Sequence, residues 1–142
     1  MLTRRTSVIL SAMITGAHIL FYSKEPEADR AFFRDVLEFP FVDVGDGWLI
    51  FALPAAEAAF HPTDHAFTQQ HAGHSLQGGV LYLMCDDLNA VVASLKNRKV
   101  ECSELQQAGW GTSTTIPLPS GAAIGLYQPR HKTAFNLKST VK

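Results

Sequence analysis

Cysteine is scarce in this chain: Cys85 and Cys102 are the only two among 142 residues. Two thiols make no disulfide framework, which excludes a small secreted scaffold held by bridges. Both stand in short runs of apolar or mixed character. They are expected to be small fillers in a reducing, cytoplasmic setting. An excess of one charge is also missing. Twelve Lys and Arg against thirteen Asp and Glu leave a net charge of -1, which gives nucleic acid or an anionic membrane nothing to hold. The mildly basic end, Arg130 to Lys142, is expected to be a solvated tail. No apolar run approaches the roughly 18 residues that a membrane span needs. A phosphate loop is not expected either, because Gly45-Asp46-Gly47 is followed by no helix. Neither cysteine has a sequence neighbour that would lower its pKa, so a thiolate nucleophile is not expected.

What remains is an ordinary globular composition, 46% apolar and 18% charged, of a length that suits one domain. The opening MLTRR followed by SVILSAMI has the outline of a weak signal peptide. Ser7, Ser11 and Thr15 interrupt that run, and residues 1–16 are expected to form an added arm or strand. Met13 offers an internal start.

The chain is organised around residues 18–39, HILFYSKEPEADRAFFRDVLEF. A short aromatic strand, 17–23, meets Pro26, which suits the first turn of a helix. Ala28, Ala31, Phe32 and Val36 then recur at helical spacing, and the helix should end near Glu38. FPFVDV, the turn 45–47 and WLIFAL predict a hairpin, and EAAFH, 57–61, predicts a closing strand. Residues 62–79 have no apolar period and read as a linker. His61 at its edge and His65, His71 and His74 within it lack the cysteines or acidic cluster of a zinc site, and they are assigned to a polar linker.

The plan then begins again. VLYLMC, 80–85, predicts a strand, and Asp86 or Asp87 caps a helix whose stripe is Leu88, Val91, Val92 and Leu95. Strands follow at 100–105, 109–118 and 122–128. Gly47-Trp48 and Gly109-Trp110 lie 62 residues apart, and Leu53-Pro54 is answered by Leu118-Pro119. The closing His61-Pro62 is answered by Gln128-Pro129. The prediction is an α+β fold of two βαβββ modules, 17–61 and 80–129, in a curved mixed sheet around a central cleft.

Period-2 alternation assigns the cleft wall. The first module offers His18, Leu20, Tyr22 and Phe60, and the second offers Val80, Tyr82, Met84 and Tyr127. Trp48 and Trp110, at equivalent positions, are candidate aromatic walls or rim anchors. Such a trough suits a small organic molecule.

The strings HILFYSKEPEADRAFFRDVLEF, LYLMCDDL and GAAIGLYQP, within a doubled βαβββ plan, resemble the vicinal oxygen chelate superfamily from about Ala17 to Pro129. That superfamily includes glyoxalase I, extradiol dioxygenases, methylmalonyl-CoA epimerase, and fosfomycin and bleomycin resistance proteins. The resemblance implies metal-ligand slots in four places. Here they hold His18, Ala58 (with Glu57 one position off), Val80 and Gly125. One imidazole does not hold a divalent ion, so the expectation is no metal and no cofactor. Two functions follow from the resemblance. The first is metal-independent binding of a small apolar or aromatic molecule, as in bleomycin-resistance-type proteins. The alternative is a lyase, isomerase or dioxygenase using His18 as acid or base, or in a partial metal site with Glu57. Members often dimerise, sometimes by exchanging modules, so a homodimer is expected.

Overall fold

The computed structural model describes residues 10–137. The basic opening 1–5, most of the stretch read as an arm, and the tail's end 138–142 lie outside the described residues. What is described of the arm is one short turn of helix, α1 (Leu10–Met13), where Leu, Ala and Met favour helix over strand.

Two helices of ten residues dominate, α2 (Pro26–Asp35) and α3 (Leu88–Asn97). Their first residues lie 62 apart, the spacing of the repeat. Pro26 opens α2, where its missing N–H costs no bond, and Glu27 and Asp29 complement the positive end of the helix. Asp87 caps α3 by accepting the Ala90 N–H (3.1 Å). The first helix stops at Asp35, three residues short of the expected Glu38. Val36 and Leu37 both bond back to the Phe32 carbonyl, and Glu38 turns the chain at φ 60°. Lys99, at φ 63°, turns the chain just past the end of α3. Arg98 then joins the two helix ends, donating to the Asp35 and Val36 carbonyls and to the Glu38 carboxylate.

The strands are β1 (Phe41–Asp43), β2 (Leu49–Phe51), β3 (Thr68–His71), β4 (His74–Gln77), β5 (Tyr82–Met84), β6 (Gln106–Ala108), β7 (Gly111–Pro117) and β8 (Ala123–Pro129). The second half closes a four-stranded sheet in the order β5-β8-β7-β6, with β5 parallel to β8 and the other pairs antiparallel. Against it pack Leu88 and Leu95 of α3. Phe32 and Phe33 of α2 join the same core, centred on Ile116, Ile124 and Leu126. Ile116 is 1% exposed.

The first half is more open than the repeat predicts. The hairpin β1-β2 forms, but 17–23 and 57–61 enter no ladder. Their counterparts in the second half, β5 and β8, pair with each other. The segment around 57–61, PAAEAAF, is alanine-rich and carries none of the branched residues that hold a strand. Without it the first segment has no strand partner, and Ile19, Leu20, Phe21 and Tyr22 stay 44–57% exposed. The segment 62–79 is also not a bare linker. It holds the hairpin β3-β4, turned at Ala72-Gly73 with both φ positive, a tight geometry that polar strands disguised. The ladder expected at 100–105 begins instead at Gln106. Ser103 takes the Thr115 N–H on its side chain (2.9 Å) and gives its carbonyl to Thr114 (2.6 Å), replacing ladder bonds.

Candidate functional site

The parallel register of β5 and β8 sets Tyr82 opposite Gly125 and Met84 opposite Tyr127. Because Gly125 has no Cβ, the Tyr82 ring occupies the space beside its backbone. A Cβ there would sit 2.8 Å from Tyr82 Cγ, and closer still to Cδ1 and Cε1. Trp110, in the turn between β6 and β7, is pinned by the Arg130 N–H bonding its carbonyl (2.9 Å). The three rings meet as a corner. Their centroids are 5.4 Å (Tyr82–Tyr127), 5.2 Å (Trp110–Tyr127) and 6.0 Å (Tyr82–Trp110) apart, with planes crossing at 84°, 78° and 72°. Edge-to-face pairs of this kind each contribute about 0.5–1.5 kcal/mol beyond area burial. Tyr127 is buried, while Tyr82 and Trp110 leave 41% and 44% of their surface to solvent.

Polar groups line up behind the corner. The Tyr127 hydroxyl lies 3.0 Å from His131 Nε2, and His131 Nδ1 lies 2.8 Å from the Lys132 carbonyl. A carbonyl only accepts, so His131 Nδ1 carries a hydrogen and donates it to Lys132. Glu57 comes from the first half. Its Oε1 accepts the Ala134 N–H (2.6 Å), and its Oε2 stands 3.9 Å from His131 Nε2. Burial pushes the Tyr127 phenol above its ordinary range, and the Glu57 and Tyr82 charges push it further. Near neutral pH Tyr127 is therefore a hydrogen-bond donor and not a phenolate.

Tyr82 also belongs to a cleft of about 330 Å³ whose wall includes Phe21, Tyr22, Val80, Leu81 and Ile124. It is bounded by the first half's opening segment on one side and the second half's sheet on the other. The Tyr22 hydroxyl donates to the Gln70 carbonyl (3.0 Å) and meets His71 Nδ1 at 2.6 Å, which ties the β3-β4 hairpin to the wall. Asp29 reaches the cleft too, but its carboxylate accepts from Ser23 Oγ and the Ser120 N–H.

The ten residues assigned to ligand binding from sequence divide. Tyr82, Trp110 and Tyr127 form the corner, and Tyr22 and Val80 join Tyr82 along the cleft. Met84 is half-buried on β5. His18, Leu20 and Phe60 are exposed, Phe60 at 89%. Trp48 stands apart under the Arg30 guanidinium, 4.6 Å from its ring centre. His131 was missed, because it follows the closing strand in a segment read as tail. His71 was read only as linker. Cys85 is half-buried with its thiol pushed up, by burial first and then by Asp86 and Asp87, which removes it as a nucleophile.

Residues 16–126 match the family model of the Glyoxalase/Bleomycin resistance protein/Dioxygenase superfamily. The chain belongs to this superfamily. Solved structures of similar fold include an antibiotic-binding protein from a Streptomyces species, at 23% identity and TM-score 0.53, covering 82% of this chain and 98% of that one. A lactoylglutathione lyase from Agrobacterium tumefaciens is 14% identical at TM-score 0.55, covering 80% and 92%. A superfamily member from Sphaerobacter thermophilus is 18% identical at TM-score 0.51, covering 82% and 98%. Among curated proteins no sequence matches this chain. Among the described residues no helix is long and apolar enough to cross a membrane.

The superfamily's metal slots can now be tested against the side chains. Ala58, Val80 and Gly125 offer no donor atom, and the space beside Gly125 is filled by the Tyr82 ring. His18 is exposed, and among the described residues no three His, Cys, Asp or Glu side chains cluster closely enough to hold an ion. This donor set does not fit a divalent cation.

Proposed function

We propose that this chain, a single domain of two modules, is a metal-independent binding protein of the superfamily that holds a small apolar or aromatic molecule between its modules. The observation that carries the reading is the perpendicular corner of Tyr82, Trp110 and Tyr127 beside an apolar cleft. Rings held at right angles present both a face and an edge to a planar guest, and apolar area buried there contributes roughly 25 cal/mol per Å² before ordering costs. The antibiotic-binding relative makes such a guest a reasonable class to screen. The enzyme alternative uses His18 as acid or base, or in a partial metal site with Glu57, and His18 is exposed. Glu57 bonds instead to the Ala134 N–H and lies beside His131, which favours binding over turnover.

The test is a thermal-shift screen with planar aromatic compounds, repeated on Tyr82→Ala and Trp110→Ala. Stabilisation of the parent that weakens in both variants is the expected result. Turnover of a lyase or isomerase substrate, with no stabilisation by any aromatic compound, would refute it.

The protein is also proposed to act as a homodimer. A second copy is the natural cover for the unladdered segments 17–23 and 57–61 and for Phe60 and Val80, at 89% and 86% exposure. Sedimentation equilibrium at micromolar concentration should give twice the chain mass, and a monomer throughout would end this reading. The two free cysteines suit a cytoplasmic location, which cell fractionation would check.

A further inference from the structure

The hairpin β3-β4 has little of its own to hold it. Both of its four-residue strands are exposed throughout, and a lone two-stranded hairpin is marginal in water. The Ala72-Gly73 turn closes its tip, and the Gly78 N–H bonding the Phe67 carbonyl (2.7 Å) closes its base. Among the described residues its only hydrogen bonds to the rest of the chain are those with Tyr22. The Tyr22 hydroxyl has one hydrogen, which goes to the Gln70 carbonyl, so the 2.6 Å contact is completed by a hydrogen on His71 Nδ1. The two rings also meet edge to face, with centroids 5.9 Å apart.

Both attachments of this hairpin lie on the cleft. Tyr22 is part of the cleft wall, and the chain leaving the hairpin runs through Gly79 and Val80, which line it too. Gly79 has open space around its backbone, so the chain can pivot there without a steric penalty. A marginal element held by one side chain, with a free pivot beside it, opens at low cost. We infer that the β3-β4 hairpin is a lid on the cleft, pivoting at Gly79 and latched by Tyr22. The inference rests on the proposal that the cleft binds a small molecule, and adds how the guest enters and leaves. Tyr22 belongs to both wall and latch, so a guest that displaces it also frees the hairpin.

The latch is tested without a ligand, by hydrogen exchange of residues 68–77 in the intact protein, followed by mass spectrometry. Tyr22→Phe should raise that exchange about three- to tenfold, as the loss of one or two hydrogen bonds implies. Exchange in β7 and β8 should stay as in the parent, which separates an opened lid from a loosened fold. Gln70→Ala keeps the accepting carbonyl and should change nothing. Unaltered exchange in Tyr22→Phe overturns the latch, as does a parent hairpin that exchanges as fast as an unstructured peptide. The lid is then tested by stopped-flow fluorescence with N-phenyl-1-naphthylamine. In His71→Ala, outside the cleft wall, entry and exit rates should rise by about the same factor and Kd should move less than about twofold. Rates equal to the parent's overturn the lid and leave the binding proposal standing. A parent that does not bind the probe overturns the binding proposal and the lid with it, while the exchange result still decides the latch.

Discussion

Substituting Gly125 by alanine tests how the corner is built. The added Cβ would lie 2.8 Å from Tyr82 Cγ, against about 3.6 Å for an ordinary carbon contact. The ring must therefore withdraw by roughly 1 Å or more, judged from that contact distance. It cannot slide sideways, because Tyr127 and Trp110 stand at 5.4 and 6.0 Å on its flanks. Its way out is to swing toward solvent and give up both edge-to-face contacts. At about 0.5–1.5 kcal/mol each, that is a loss of about 1–3 kcal/mol. Removing Tyr82 first removes the collision. In a Tyr82→Ala background, Gly125→Ala should be neutral or slightly stabilising, since a strand interior favours alanine over glycine. Urea unfolding of the four proteins, followed by circular dichroism, gives the coupling between the two sites as the departure from additivity. The expected coupling is about 1–3 kcal/mol, with the double variant more stable than the sum of the singles. If Gly125→Ala costs the same with and without Tyr82, the ring does not rest on Gly125 and the corner as described is wrong. Gly111 is the contrasting case. At φ 153° its added Cβ would face the Gln128 carbonyl and lie 3.1 Å from Pro129 Cα. Backbone atoms cannot swing away, so no side-chain deletion should rescue Gly111→Ala.

Other consequences follow from single contacts. Ile116→Ala should cost about 2–4 kcal/mol in the same unfolding assay, since Ile116 is the most deeply buried large side chain. Asp87→Ala should cost about 1 kcal/mol by loss of the Ala90 cap, whereas Glu25→Ala, whose side chain makes no cap bond, should change stability by only a few tenths. Tyr127 has its folded pKa raised from the ordinary 10.0, so its neutral form favours the fold. Its contribution is complete below pH 10 and is lost as pH rises through the folded value. Tyrosinate absorbance should therefore show a transition above pH 10 that Tyr127→Phe removes and Glu57→Gln moves downward.

Much of this protein is decided locally, and that part was legible. The helices follow from Pro26, Asp87 and the spacing of Phe32, Leu88 and Leu95, because a helix satisfies its hydrogen bonds within its own segment. The hairpin around Gly45-Asp46-Gly47 was readable because its turn is local, and the strand expected at 122–128 lies at Ala123–Pro129. The doubling of the plan came from marks such as the two Gly-Trp pairs, and with it the superfamily.

Strands need partners, and partnership is not written in a segment. Residues 17–23 have as good a strand composition as 80–85, yet only the latter meets a branched, apolar neighbour to pair with. The polar hairpin at 68–77 escaped notice because its order comes from the Ala72-Gly73 turn and from Tyr22, not from an apolar period. The site depended still more on three dimensions. Alternation alone placed Tyr82, Tyr127 and Gly125 on one face, since period 2 is a local property. That Trp110 completes a corner with the two tyrosines, and that Glu57 and His131 stand behind it, joins residues 77 positions apart for Glu57 and Ala134 alone. Such contacts are fixed by how the two halves and the tail fold back on one another, and only the tertiary structure carries that.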